Sequence, residues 1–558
     1  MKRNKIALAG TALFAIGALA LAGCSNGGGN ANEGGNSDFK ADPDAIITTN
    51  GSEPENPLIP SNTNEVGGGK ILDEIFAGLV YYDAKGKPVN DMAEEIVVED
   101  PQNLTVKLKK GQTFSDGEEV TADNFVKAWN YGAQNENAHK SGYFFEDIEG
   151  FVVDAGDPEN PDDDIFGAQG DMSGLKVVDD YTFTIKLNKP ASDFAQRLGY
   201  SAYYPLPDVA FEDIEAFGEN PIGNGPYKLS EDGAWQHNVQ IDLVRNDDYK
   251  GDRKPANGGL TIKFYATQEA AYADLQGDKV DVIDAIPAIS LPTFQDDLGD
   301  RAVNQPAAVF QSFTIGQFLP HFSGEEGILR RQAISMAFDR AQITEKIFFN
   351  TRTAASDFTS PVIAGWSDSI PGNEVLKYDP EKAKELWAEA DKISPWDGTF
   401  QIAYNSDGGH KEWVDAVTNQ ISNTLGIEAS GASYPTFQVI RQEVNNRTIK
   451  TAARSGWQAD YPGMYNFLGP LYATGAGSND GDYSSSEFDG LIKDGIGNPD
   501  PEAQLEDFTK AQEVLFNDLP AIPLWYSNVT GGFSKNVDGV EFGWNSVPLY
   551  YQIQKAAE

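Results

Sequence analysis

Ala453–Leu468 reads ARSGWQADYPGMYNFL. Aromatic rings surround a single carboxylate, Asp460. A charge in such apolar company costs several kcal/mol, on the order of magnitude known for unpaired buried ions, unless a partner meets it. Asp460 is therefore a catalyst, a metal ligand, a structural ion with an internal Arg or Lys partner, a helix cap, or half of a salt bridge whose other half arrives from outside. Trp457 and Tyr461 read equally as core residues or as cleft walls. The rest of the chain narrows these choices.

The chain opens with a basic segment, Lys2, Arg3 and Lys5, followed by the apolar run IALAGTALFAIGALALAG at 6–23. A basic start before an apolar, small-residue run predicts a cleaved secretion signal, 1–23. LAGC at 21–24 resembles a bacterial lipobox, with Cys24 as the lipidated residue. Cys24 is the sole cysteine of 558 residues, which excludes intramolecular disulfides and argues against Cys-based zinc sites. SNGGGNANEGGNSD follows at 25–38 and reads as a flexible tether, part of a lipidated linker over 24–44, with a reach on the order of 20 Å. No later stretch has the roughly 18 consecutive apolar residues of a membrane span.

Losing three basic residues with the signal takes the net charge from −43 to −46. That charge argues against nucleic acid, which requires basic surface. Nine Trp, 22 Tyr and 31 Phe exceed what a disordered acidic chain carries. The mature part, about 535 residues, is too long for one simple core, so two or three lobes are expected.

Alternating runs at 103–111, 182–190, 239–246 and 259–267 predict half-buried strands. Helices are predicted after Thr121 (ADNFVKAWNYGA), over 328–349 with one break, after Asp379 with Pro380 at the first position, and over 501–518. The acidic, Pro-rich stretch 154–174 reads as a solvated surface loop, without the spacing of an EF-hand. EVGGGK at 65–70 lacks the phosphate-loop pattern and reads as a tight loop approached by another backbone. The histidines at 139, 237, 321 and 410 form no HxxxH or HxxE pattern; G-x-S-x-G occurs only as GCSNG (23–27), across the signal end and tether, and S-x-x-K only as SDFK (37–40) and SGLK (173–176), and neither reads as a nucleophile motif there. No constellation points to an enzyme, a metal or another cofactor.

Seven segments in order resemble the peptide-binding lipoproteins of ABC importers, the large solute-binding class that includes the oligopeptide-binding proteins. They are EPENPLIP (53–60), IFAGLVYYDAKGKPVNDMAE (75–94, with Ala77 where Glu is usual), GQTFSDGEEVTADNFVKAW (111–129), IGNGPYKL (222–229), YADLQGDKVDVID (272–284), RRQAISMAFDR (330–340) and LPAIPLWY (519–526). The resemblance implies an α/β, periplasmic-binding-protein-like two-lobed fold (type II, cluster C) with an extra inserted domain and the ligand cleft between the lobes. It places the first lobe at 45–75, 206–305 and 527–558, the inserted domain at 76–205 and the second lobe at 306–526. GWQADYP is similar to the family's G-W-x-A-D-Y, whose Asp pairs with the ligand's N-terminal ammonium; that Asp matches Asp460. The resemblance further implies backbone contacts to an added peptide strand from Gly456 and Gln458, with Val66 opposite. It makes Trp457 a cleft wall, adds Tyr461 to the site, and lets Arg454 meet the peptide's carboxylate end. YPGMYNF departs from the commoner Y-x-D/E-P-x-x-F, which puts the loop shape in doubt.

The implied function is capture of oligopeptides outside the cell and delivery to an ABC permease with its ATPase. The implied protein is a monomer held to the outer face of the bacterial membrane by lipid on Cys24. An oligosaccharide or nickel chelate on the same fold, and a secreted hydrolase, are the rival readings.

Overall fold

A computed structural model describes residues 39–154, 165–406, 409–435 and 437–557. The signal, most of the tether and Cys24 lie outside the described residues. Each predicted strand run forms a strand: Asn103–Leu108, Thr182–Lys186, Gln240–Arg245 and Gly259–Phe264. The helices follow their capping chemistry. Asp379 accepts from the Lys382 N–H at 2.9 Å and Pro380 opens the helix to Ile393. Asp500 caps Pro501–Asp518 in the same way. The 328–349 pattern is two helices, Gly324–Met336 and Arg340–Lys346, the second capped by Asp339.

One mixed sheet organises the body. Ile46–Gly51 runs parallel to Gly259–Phe264, and Gln240–Arg245 adds antiparallel to the latter. Their inward residues, Ile47, Ile241, Leu243, Leu260 and Ile262, are fully or almost fully buried in a first core. At the far end, Ala452–Gln458, Phe400–Asn405 and Ala429–Tyr434 carry a second core around Phe313, Phe400, Ile402, Val414, Trp525 and Leu515. Two long antiparallel strands, Ala302–Thr314 and Ala521–Phe533, join the halves. Ala302–Pro306 pairs with Asn528–Gly532 on the first side, and Phe310–Thr314 with Ala521–Tyr526 on the second. The ladder shifts register between Pro306 and Phe310. Pro306 has no N–H to give, so an interruption is tolerated there.

A four-stranded antiparallel sheet, Ala93–Asp100, Asn103–Leu108, Thr182–Lys186 and Leu175–Asp179, packs against the helix Ala122–Ala133. Phe125 stacks on Phe183 at its centre, Trp129 meets both rings edge to face, and the Trp129 indole N–H donates to the Tyr203 carbonyl at 2.9 Å. Each such buried aromatic stabilises the fold by about 1.5–3 kcal/mol.

Two local expectations change. EVGGGK is not a loop: Val66–Ile75 is helical, with Glu65 as its cap accepting from the Gly68 N–H at 2.8 Å. The glycines serve close approach, since a Cβ on Gly67 would meet Ser52 Oγ at 2.4 Å and one on Gly68 would meet Thr63 at 2.7 Å. Within 154–174, Ile165–Ala168 is a strand paired with Phe151–Asp154. Gly167, at φ +150°, lets that ribbon lie against the Ala133 carbonyl. Residues 155–164 lie outside the described residues.

Candidate functional site

The strand Ala452–Gln458 ends at the cleft. Along Ala453–Gln458 it pairs with Ala302–Thr314, but Phe400–Asn405 covers its other edge only at Ala452 and Ala453. The Ala459 N–H donates to the Ala308 carbonyl at 2.9 Å. Strand alternation then turns the backbone groups of Ser455 and Trp457 toward the same neighbour. Those of Gly456 and Gln458 face the opposite edge, which no strand occupies among the described residues. Both residues are exposed. This is a short sheet edge on which an extended chain can add.

Asp460 stands two residues beyond the end of that strand. The helix Met464–Tyr472 starts just after it, and Asn466 in its first turn reaches back. The Asn466 amide donates to Asp460 Oδ2 at 2.9 Å, while its Oδ1 accepts from the Asp460 N–H at 3.1 Å and from the Trp457 indole at 3.0 Å. Asn466 is thus a clasp that fixes both Trp457 and Asp460. No Lys, Arg or His pairs with Asp460 among the described residues. Burial pushes its carboxyl above the usual range, and the Asn466 hydrogen bond only partly offsets this. Burial, and next the charge of Asp460, also push the phenols of Tyr143 and Tyr200 up.

Asp460, Gln458 and Ala459 line a cleft of about 330 Å3. The same cleft is lined by the face of the helix Val66–Ile75 that carries Val66, Gly69, Lys70 and Asp73, at offsets of three, four and seven residues from Val66. Val66 is 57% exposed, and its N–H belongs to the first turn, where helical partners are lacking. A Cβ on Gly69 would meet nothing within 4 Å among the described residues, so the glycine widens the cleft. Lys70 is buried and spent on Asp284 and the Asn50 carbonyl. Tyr82 and Trp544 form an edge-to-face pair, centroids 5.4 Å apart, along one side, and Tyr200 lines the cleft beside them.

The remaining predicted residues lie elsewhere. Tyr461 is 4% exposed, its hydroxyl donates to Asp193 Oδ2 at 2.9 Å, and the Arg197 guanidinium lies 5.5 Å from its ring. It joins the Asp193–Arg197–Asp147 ion network and does not line the cleft. Trp457 is half-buried against the second core and also lies outside the cleft lining. Arg454 donates from Nε to Asn405 Oδ1 at 2.9 Å and stacks 4.4 Å over Phe437, again apart from the cleft lining.

Asn466, Lys70, Asp73, Tyr82, Tyr200 and Trp544 were not singled out in the sequence. The face Val66, Gly69, Lys70, Asp73 carries a helical spacing that reading 65–70 as a loop conceals. Asn466 and Trp544 leave no local signal, because their roles depend on tertiary contact.

Residues 87–479 match the family of bacterial extracellular solute-binding proteins, family 5 Middle. The chain is 24% identical over 544 residues to the oligopeptide-binding protein OppA of Bacillus subtilis, covering 95% of each chain. It is 26% identical over 500 residues to the periplasmic oligopeptide-binding protein OppA of Salmonella typhimurium, covering 87% of this chain and 88% of that one. A 26% match over 383 residues, 66% of this chain and 67% of the other, is to heme-binding protein A of Haemophilus influenzae. Among solved structures, HbpA2 from Haemophilus parasuis superposes with a TM-score of 0.78 at 19% identity, over 92% of this chain and 100% of that one. OppA from Haemophilus influenzae in complex with RPPGFSPFR gives 0.68 at 21% identity, over 93% and 100%. These likenesses share the two-lobed α/β fold, and with most of the length matched, the chain belongs to the bacterial extracellular solute-binding proteins of family 5.

Proposed function

We propose that this chain captures oligopeptides in the cleft between its two halves and delivers them to an ABC import permease driven by its ATPase. One observation carries the reading: a carboxylate held in place by Asn466, raised by burial and without a cation partner among the described residues, beside an open strand edge. Peptides of mixed sequence share a backbone and charged ends. A receptor for them hydrogen-bonds the backbone by strand addition and meets the terminal ammonium with one carboxylate. Asp460 takes the ammonium, Gly456 and Gln458 take the backbone from one side, and Val66 takes it from the other. Trp457 supports Asp460 through Asn466, Tyr461 anchors the loop behind it, and Arg454 stands up-strand for the carboxylate end.

Closure bends the two crossover strands near Pro306–Phe310 and buries the ligand. The division into a first lobe, an insertion at 76–205 and a second lobe at 306–526 belongs to the same reading, as does a lipid anchor on Cys24 at the outer membrane face. The protein acts as a binding protein without a catalytic step. OppA proteins among its relatives support the peptide class. Calorimetric titration with a free-amine tetrapeptide and with its N-acetylated form tests the reading. Binding of the first and severe loss with the second is expected; equal affinity for both contradicts it.

A further inference from the structure

A second cavity of about 70 Å3 opens beside the main cleft and shares Asp73, Tyr82 and Trp544 with it. Several water-sized spheres fit in such a volume. Three carboxylates line it, Asp73, Glu74 and Asp83, against one guanidinium, Arg253. That guanidinium is already committed. It pairs with Asp91 at 3.2 Å and donates to the carbonyls of Asp73 and Phe76 at 2.6 and 3.0 Å. Asp83 is tied to its own turn through the N–H groups of Lys85 and Lys87. Asp73 accepts from the Tyr204 hydroxyl at 2.8 Å.

Glu74 is different. It is 5% exposed, it lines the cavity, and its Oε2 has no hydrogen-bond partner among the described residues. A buried acceptor left unmet is uncommon and calls for a partner. Aromatic residues Tyr81 and Tyr551 complete the lining, and Tyr81 already holds the Arg253 guanidinium 5.6 Å from its ring, so this surface is suited to cations. Burial pushes the Glu74 carboxyl up to about 8, Arg253 countering only in part, so an arriving cation recovers the charged form.

We propose that this cavity is a side-chain subsite for a cationic group, lysine- or arginine-like, of the peptide whose amino terminus Asp460 receives. The proposal rests on the peptide reading above. Glu74 supplies the free acceptor and Asp73, shared with the main cleft, the entry charge. Together with Asp460 they make the chain selective for peptides carrying a second positive charge.

The test is calorimetric titration of the purified chain with tetra-alanine peptides in which each position in turn is lysine, norleucine or glutamate. At one position lysine should bind at least about tenfold more tightly than norleucine, a difference of about one decade, and glutamate should be the weakest. Glu74→Gln should abolish the lysine preference at that position and leave the norleucine peptide within about twofold of wild type. Asp73→Asn should reduce the preference without removing it. Equal affinity for lysine and norleucine at every position overturns the subsite, as does an equal loss for both in Glu74→Gln, which marks a structural role. Failure of every tetrapeptide to bind overturns the peptide reading and the subsite with it; peptide binding without charge preference overturns the subsite alone.

Discussion

Replacing Asp460 by alanine separates a ligand-facing carboxylate from a structural one. Among the described residues Asp460 makes one neutral side-chain hydrogen bond, from Asn466 at 2.9 Å, and burial already disfavours its charge. Removing it forfeits about 0.5–1.5 kcal/mol of hydrogen bonding and relieves a comparable desolvation cost. The melting temperature without ligand should therefore stay within about 3 °C of wild type. In the complex the carboxylate is half of a desolvated ion pair, and truncating one partner costs about 2–5 kcal/mol. That is roughly 30-fold to several-thousand-fold weaker binding at 1.4 kcal/mol per decade. Acetylating the peptide's amino terminus should do similar damage to the wild type. In Asp460→Ala acetylation should add little, because both changes remove the same contact. Calorimetry on this two-by-two set reads the coupling. Additive penalties, or a fall in melting temperature with acetylation penalties unchanged, would refute the salt-bridge assignment.

Glu74→Gln should flatten the pH dependence of unfolding. A carboxyl raised from 4.5 to about 8 binds its proton more tightly in the folded state, so wild-type stability falls as pH rises from about 4.5 to 8 and then levels. The full window is worth at most about 5 kcal/mol. Denaturant titrations at pH 5 and pH 9 should show a smaller loss in the variant; Asp73, Arg253, Tyr227, Tyr550 and Tyr551 interact electrostatically with Glu74 and remain in both proteins. An identical loss in both would mean that Glu74 titrates normally. Tyr461→Phe should lower stability by about 1 kcal/mol through the lost bond to Asp193 and leave peptide affinity within about threefold; a large affinity loss at unchanged stability would put Tyr461 in the cleft. Cys24→Ser should move the protein from the membrane fraction to the soluble one, since a tether without apolar anchors needs its acyl chains; sedimentation with membranes at high salt would show another anchor.

Local periodicity carried much of the fold. The period-two runs at 103–111 and 259–267 form strands because one face of each packs on a core, and Asp379–Pro380 and Asp500–Pro501 start helices because both cap and first turn are chemically specified. Val66–Ile75 was harder: three successive glycines weaken helix propensity, and Glu65 together with tertiary packing overrides it. The pairing of Ala302–Thr314 with Ala521–Phe533 spans some two hundred residues, so sequence shows two apolar runs but not their ladder. Asp460 stood out as a charge among rings. Its clasp Asn466 did not, because an asparagine six residues on becomes a partner only once the chain has turned at Pro462–Gly463. Glu74 and Arg253 are drawn together from positions far apart in the chain, beyond the reach of any local spacing.

The central claim is that the cleft at Asp460 is filled by peptides. The most direct measurement is tandem mass spectrometry of the small molecules released when the chain, purified without denaturation from its own cells, is unfolded in acidified organic solvent. A mixture of short peptides with free amino termini, enriched in lysine and arginine, is expected, and none from Asp460→Ala prepared in parallel. Release of a sugar, heme or metal chelate in their place, or an unchanged peptide yield from Asp460→Ala, would contradict it.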